Sequence, residues 1–234
     1  MSLAPGFHTL WPTPIGVHSC PLADQLNPLL VRVFGALRAT QSHARGEAPG
    51  AAFFASDDDV LQRIQLPEWQ AFVRFLVECL RDTATQANHE AWPALGVDLR
   101  VAINGLWFQA SNRGAFHEVH THGNCSWSGV YCVQVDPAVA RCAHATHGAQ
   151  NGVTRFYGPP LSHLAGAHVD LGNAYLQPPR VEVAPLPGQL VLFPSWLAHQ
   201  ALPYDGLLDR LIVSFNASAH VAQGGDRLDG YSAA

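Results

Sequence analysis

The chain has 234 residues, 48% of them apolar and 13% charged, a core-forming composition that excludes a disordered or fibrous protein. Its formal net charge is −5 with no basic face, which argues against a nucleic-acid partner. The length suits one all-β domain with helical additions rather than two full domains.

No apolar run approaches the roughly 20 residues that span a bilayer. Met1 to Leu10 lacks the basic stretch and apolar stretch of a secretory signal. The five cysteines, Cys20, Cys79, Cys125, Cys132 and Cys142, are odd in number and irregularly spaced, without a CxxC pair. They read as free thiols of a cytoplasmic protein, not as a disulfide framework or a zinc ribbon.

In chain order, residues 21–40 read as a helix, with Leu26, Leu29, Leu30, Val33, Phe34 and Leu37 near helical spacing. Pro28 falls in its early part, where proline is tolerated. Residues 41–58 read as loop. Pro67 opens a second helix to about Ala87, and Trp69, Phe72, Leu76, Cys79, Leu80 and Thr83 form one face of it. After Pro93 the segments become short, β-branched and aromatic. Strands are predicted at 97–110, 115–121, 127–135, 152–157, 180–184, 189–193 and 208–216. Many short strands with turn signals indicate a sandwich or barrel.

The stretch 136–180, rich in Ala, Gly, His and Pro, has the length of a substrate lid or binding loop. The expected organisation is a helical part over 1–94, a β core over 95–220 and a frayed tail over 221–234. A homodimer through the helical part is a further expectation.

Thirteen histidines stand out, and most are scattered. The run His117-Glu118-Val119-His120-Thr121-His122 is the dense one. On a strand, residues i and i+2 share a face, so His120 and His122 can converge on one ion. His199 follows 79 residues later, after an apolar strand and Pro194-Ser195-Trp196-Leu197. Two nitrogens from one strand and a third from a distant one give a facial set with open positions, the logic of non-haem iron sites.

Eleven residues after His199, Arg210 opens the apolar strand Arg210 to Asn216. A buried arginine needs a partner anion, and its fork matches a carboxylate. Ser214 shares the Arg210 face by alternation. A dicarboxylic cosubstrate would bridge the metal and Arg210. A structural ion pair of Arg210 with Asp98 or Asp136 is the competing reading.

These features resemble the Fe(II)/2-oxoglutarate-dependent oxygenase superfamily: HxD, a long gap, a second His, then Arg about ten residues on. More narrowly, the chain is similar to a group of bacterial oxygenases with HxH, FPSWLxH and R motifs. The matching stretches are His120-x-His122 with Ser128-Gly129-Val130-Tyr131, then Pro185 to His199, then Arg210 to Asn216. The resemblance covers roughly residues 100–217. It implies a double-stranded β-helix (jelly-roll) core with the N-terminal helices packed on it. It also implies Fe(II), 2-oxoglutarate and dioxygen, with hydroxylation of a small-molecule or amino-acid-like substrate. Asn104 and Tyr131 are further candidates to reach the 2-oxoglutarate from neighbouring strands, with a turn-end asparagine and a packing tyrosine as the competing reading.

One position departs from the superfamily: the aspartate of HxD is His122 here. Imidazole in place of carboxylate leaves the site one unit more positive. His122 is the favoured third ligand. Glu118 on the same face is a second option, and water or an anion, which would open a route to halogenation, is a third.

His117-Glu118-Val119-His120 is one residue short of the HExxH of zinc proteases. Cys142, His144 and His147 lack a matching second pair for a metal. Trp127 and Trp196 read as core or pocket wall, and Arg113, Arg155 and Arg180 as surface residues near the site strands.

Two other functions compete. A cupin-type dioxygenase or isomerase without 2-oxoglutarate fits Gly114 and His120-x-His122. It lacks the glutamate that should follow and leaves Arg210 unexplained. A non-catalytic sensor on the same fold would not need the full ligand set.

Overall fold

The computed structural model describes residues 13–46, 50–89, 98–158 and 180–223. Residues 159–179 of the expected lid, the boundary near residue 94 and the tail beyond Gln223 lie outside the described residues.

Among the described residues nine strands form two sheets: β1 Gly16–Ser19, β2 Phe53–Ala55, β3 Asp98–Ser111, β4 Trp127–Gln134, β5 Thr154–Tyr157, β6 Arg180–Val183, β7 Gln189–Pro194, β8 His199–Ala201 and β9 Arg210–Gln223. The large sheet runs β1-β7-β4-β9-β3-β2, and the small one β6-β5-β8. Every ladder is antiparallel. Two facing antiparallel sheets of this connectivity make a jelly roll.

The helices are α1 Ala23–Arg45, α2 Val60–Arg63, α3 Pro67–Asn88 and α4 Ala138–Cys142. The long pair, α1 and α3, covers the outer face of the large sheet. The α3 face predicted from spacing, Trp69 through Thr83, is the buried one. On α1 the buried positions include Leu26, Leu30 and Phe34. Phe34 stacks on Phe108 of β3 at 4.4 Å, and Trp69 meets Phe34 edge-on at 6.2 Å.

Alternation sorts the large sheet into two buried layers. Leu106, Phe108, Tyr131, Leu190, Leu192, Val213 and Phe215 join the core under the helices. Val191 and Phe193 point the other way and pack with Phe156 and Leu197 between the sheets. Gly129 faces the helix layer, where a Cβ would lie 2.3 Å from the Phe215 ring. Only glycine lets that ring lie across the strand.

Several expectations are corrected. The N-terminal part is not only helical: β1 pairs with β7 and β2 with β3, so it supplies both edges of the large sheet. These strands have four and three residues, too short for a periodic signal. β8 was not among the ranges predicted as strand. Residues 115–121 form no regular strand; they hold isolated bridges, Ala115 with Tyr204 and His120 with His199. β9 runs past the expected end at Asn216, and past the expected core boundary at residue 220, to Gln223.

Candidate metal centre

The segment 114–122 runs antiparallel along β8 without a full ladder. Gly114 N donates to Tyr204 O, His117 N to Ala201 O and His122 N to Ser195 O, at 2.8, 3.0 and 2.9 Å. His120 and His199 exchange both backbone bonds at 3.0 Å. Ser195, in the turn after β7, bonds through its hydroxyl to the Cys125 carbonyl and through its N–H to Ser126 O. The turn and the histidine segment are thereby pinned to each other.

This brings three imidazoles together. One ring nitrogen each from His120, His122 and His199 lies within 4.8 Å of the others. His199 is 5% exposed, and its Nδ1 donates to Leu197 O at 2.9 Å. His120 Nδ1 donates to Glu118 O at 2.7 Å. A carbonyl can only accept, so both rings carry their proton on Nδ1 and present the Nε2 lone pair. His122 Nε2 stands 3.3 Å from His199 Nε2. Two nitrogens bound to one ion at about 2.1 Å and at right angles would stand about 3 Å apart, so the donor set fits a metal.

Burial, opposed by the Leu197 carbonyl and assisted by His120, holds His199 down at about 4. His122 is lowered to about 4, by burial first and then by His120. Both rings are therefore neutral at neutral pH, the state a ligand needs.

Arg210 lines the same pocket and is 4% exposed. Its Nε donates to Gly152 O at 3.1 Å, and one terminal nitrogen reaches Thr154 Oγ1 at 3.4 Å. Burial is the chief force holding it below its ordinary value. Among the described residues no carboxylate pairs with it. Asp136 is taken up by the N–H groups of Leu207 and Leu208. Asp98 stands at the opposite end of β3, paired with Gln223.

Ser214 shares the pocket with Arg210, as alternation requires. Asn104 and Tyr131 do not reach it. Asn104 is exposed and donates to Asn124 O and Ser218 Oγ. Tyr131 points into the helix layer, packs on Phe72 and donates to Asn27 Oδ1 at 2.8 Å. Val130, its neighbour on β4, is the residue facing the pocket.

Glu118 offers the site its backbone carbonyl, while the residue is exposed and outside the histidine cluster. His144 accepts the N–H groups of Thr146 and His147, and Cys142 is exposed. Trp127 is core and Trp196 is 61% exposed. Arg155 and Arg180 lie by Glu182, and Arg113 bonds Gly50 O.

Trp107, Gln109 and Thr154, which the sequence did not single out, also line the pocket, as does His117 of the histidine run. Gln109 was detectable: it stands two residues from Trp107 in β3, a polar residue on the inner face.

The sequence over residues 105–216 matches a family model described as "Putative 2OG-Fe(II) oxygenase". No curated protein matches the chain by sequence. Among solved structures, HygX from Streptomyces hygroscopicus with nickel and 2-oxoglutarate bound is 13% identical with TM-score 0.54, covering 88% of this chain and 82% of that one. The same protein with iron bound aligns at TM-score 0.52 and 12% identity, with the same coverage. A Pseudomonas putida prolyl-4-hydroxylase aligns at TM-score 0.48 and 15% identity over 88% of this chain and 93% of that chain. Over residues 105–216 the chain is thus similar in sequence to the 2-oxoglutarate- and Fe(II)-dependent oxygenases, and its fold is similar to the HygX fold.

Proposed function

We propose that the chain is an oxidoreductase that uses Fe(II) and 2-oxoglutarate to oxidise a small-molecule or amino-acid-like substrate, with hydroxylation as the reaction. The observation that carries this reading is the pairing, in one pocket, of three convergent imidazoles with a buried arginine whose described neighbours include no carboxylate. A metal site alone does not call for Arg210, and a cupin-type enzyme has no use for it.

His120, His122 and His199 would hold the iron. Arg210, with Ser214 beside it, would hold the distal carboxylate of 2-oxoglutarate. Iron and 2-oxoglutarate, when bound, supply dioxygen activation with release of succinate and carbon dioxide.

The chain's own residues do the rest. The Leu197 and Glu118 carbonyls fix the His199 and His120 tautomers, so no proton must leave those nitrogens when metal enters. Three neutral ligands leave the full dipositive charge on the metal, one unit more than with a carboxylate ligand. That charge and Arg210 together favour a dianionic cosubstrate. Phe193, packed against His199 at 4.6 Å, helps keep water from the ligand ring.

The test is oxygen-dependent succinate formation from 2-oxoglutarate by the purified protein with Fe(II). The wild type is expected to produce succinate slowly even without its substrate, and His199→Ala none above background. Equal succinate from the two proteins would remove His199 from the metal site.

A further inference from the structure

Arg210 is held from behind by a short segment that the oxygenase reading leaves without a role. Arg141, on α4, is 3% exposed, and one of its terminal nitrogens donates to Asn151 O at 2.7 Å. Its Nε is buried with no hydrogen-bond partner among the described residues. A second guanidinium at this depth is costly unless it does something there.

Asn151, 1% exposed, clasps Asp205 at both backbone groups: Nδ2 donates to Asp205 O at 2.8 Å, and Oδ1 accepts from Asp205 N at 2.9 Å. The next residue, Gly152, donates its N–H to Pro203 O at 2.9 Å and accepts Arg210 Nε at its own carbonyl. Gly152 sits at φ +73°, and a Cβ there would come within 2.7 Å of the Tyr204 ring and 3.3 Å of Arg210 Cδ. The turn is thus closed against Arg210 with no room to shift.

We propose, resting on the oxygenase reading above, that Arg141 is a positioning residue for 2-oxoglutarate: by holding the Asn151 carbonyl it sets the Gly152 carbonyl that aims the Arg210 guanidinium into the pocket.

A fork-to-carboxylate contact depends on direction as well as charge, so a guanidinium free to swing loses affinity that a fixed one keeps. The Arg141 charge acts in the same direction. After burial, repulsion from Arg141 is a further force lowering Arg210, and a bound carboxylate relieves it.

The experiment is anaerobic calorimetric titration of the full chain, first with Fe(II), then with 2-oxoglutarate on the Fe(II)-loaded protein, for wild type, Arg141→Met, Arg141→Lys and Gly152→Ala. Arg141→Met and Gly152→Ala are expected to weaken 2-oxoglutarate by roughly 3- to 30-fold, the range for residues coupled to a site they do not touch, with Fe(II) affinity unchanged. Arg141→Lys is expected to recover part of the loss.

Unchanged 2-oxoglutarate affinity in Arg141→Met and Gly152→Ala, beside tight wild-type binding, overturns the proposal and leaves the oxygenase reading standing. Equal losses for Fe(II) and 2-oxoglutarate overturn it too, since they mark a general loosening of the fold. If Arg141→Met does not fold, Gly152→Ala carries the same comparison. A wild type that binds Fe(II) but not 2-oxoglutarate overturns the oxygenase reading, and this proposal with it.

Discussion

His120 and His199 each give a ring proton to a carbonyl two residues back along the chain, at Glu118 and Leu197. The site is thereby fixed locally, with no distant residue needed to set the tautomer. The consequence appears in acid. His122 and His199 are held at about 4 against an ordinary 6.5, so the folded metal-free chain resists protonation there while the unfolded chain does not. Between those values the unfolded state binds more protons, and stability falls as pH falls. We expect the melting temperature of the metal-free protein to drop as pH goes from 6.5 towards 4, and the His199→Ala protein to show a shallower drop. Parallel curves for the two proteins would mean that His199 does not contribute to the acid sensitivity. The same scale explains His122. His122 stands where the superfamily pattern has an aspartate. In the structure its Nε2 stands 3.3 Å from that of His199, at the spacing of ligands that share one ion.

At the scale of elements, the long pieces were legible and the short ones were not. α3 was readable because one helical face must be apolar and Pro67 marks its start. β3, β4, β7 and β9 were readable as β-branched and aromatic runs, and on β9 Arg210 and Ser214 marked the pocket face. β1, β2 and β8 have only three or four residues and exist because a neighbour offers them a ladder. The histidine segment was expected as strand for a sound reason, since i and i+2 do share a face there. Its convergence comes instead from bonding along β8. Tyr131 was misplaced because both faces of β4 are buried, so hydrophobicity alone could not say which residue faces the pocket. Gly129 gives this layer its test. Gly129→Ala would drive a methyl into the Phe215 ring at 2.3 Å and Leu192 at 2.9 Å. It is expected to cost about 1–3 kcal/mol in denaturant unfolding, the usual penalty for overpacking. No loss of stability would show that Phe215 can leave the strand surface freely.

For the whole molecule, the helices cover one face of the large sheet, and the pocket opens on the other, between the sheets. No helix among the described residues is long and apolar enough to cross a membrane. The division of labour between the two faces explains how far the sequence could be read. Packing against the helices produced ordinary apolar periodicity. The pocket face had to carry polar groups, and these stood out as His120, His122, His199, Arg210 and Ser214. Asn104 was misassigned because it stands at the exposed irregularity of β3, where register shifts between Ile103 and Gly105 and strand alternation no longer tells direction. On the proposed function, one pocket binds iron at its histidines and 2-oxoglutarate at Arg210. The most direct measurement is the visible charge-transfer band on adding Fe(II) and 2-oxoglutarate to the wild type and Arg210→Ala proteins without oxygen. A band is expected in the wild type. Arg210→Ala is expected to need at least ~30-fold more 2-oxoglutarate to reach it, as when one partner of a buried charge pair is removed. Iron binding without a band in the wild type, or an equal 2-oxoglutarate requirement in both proteins, would contradict the proposed roles of the histidines and Arg210.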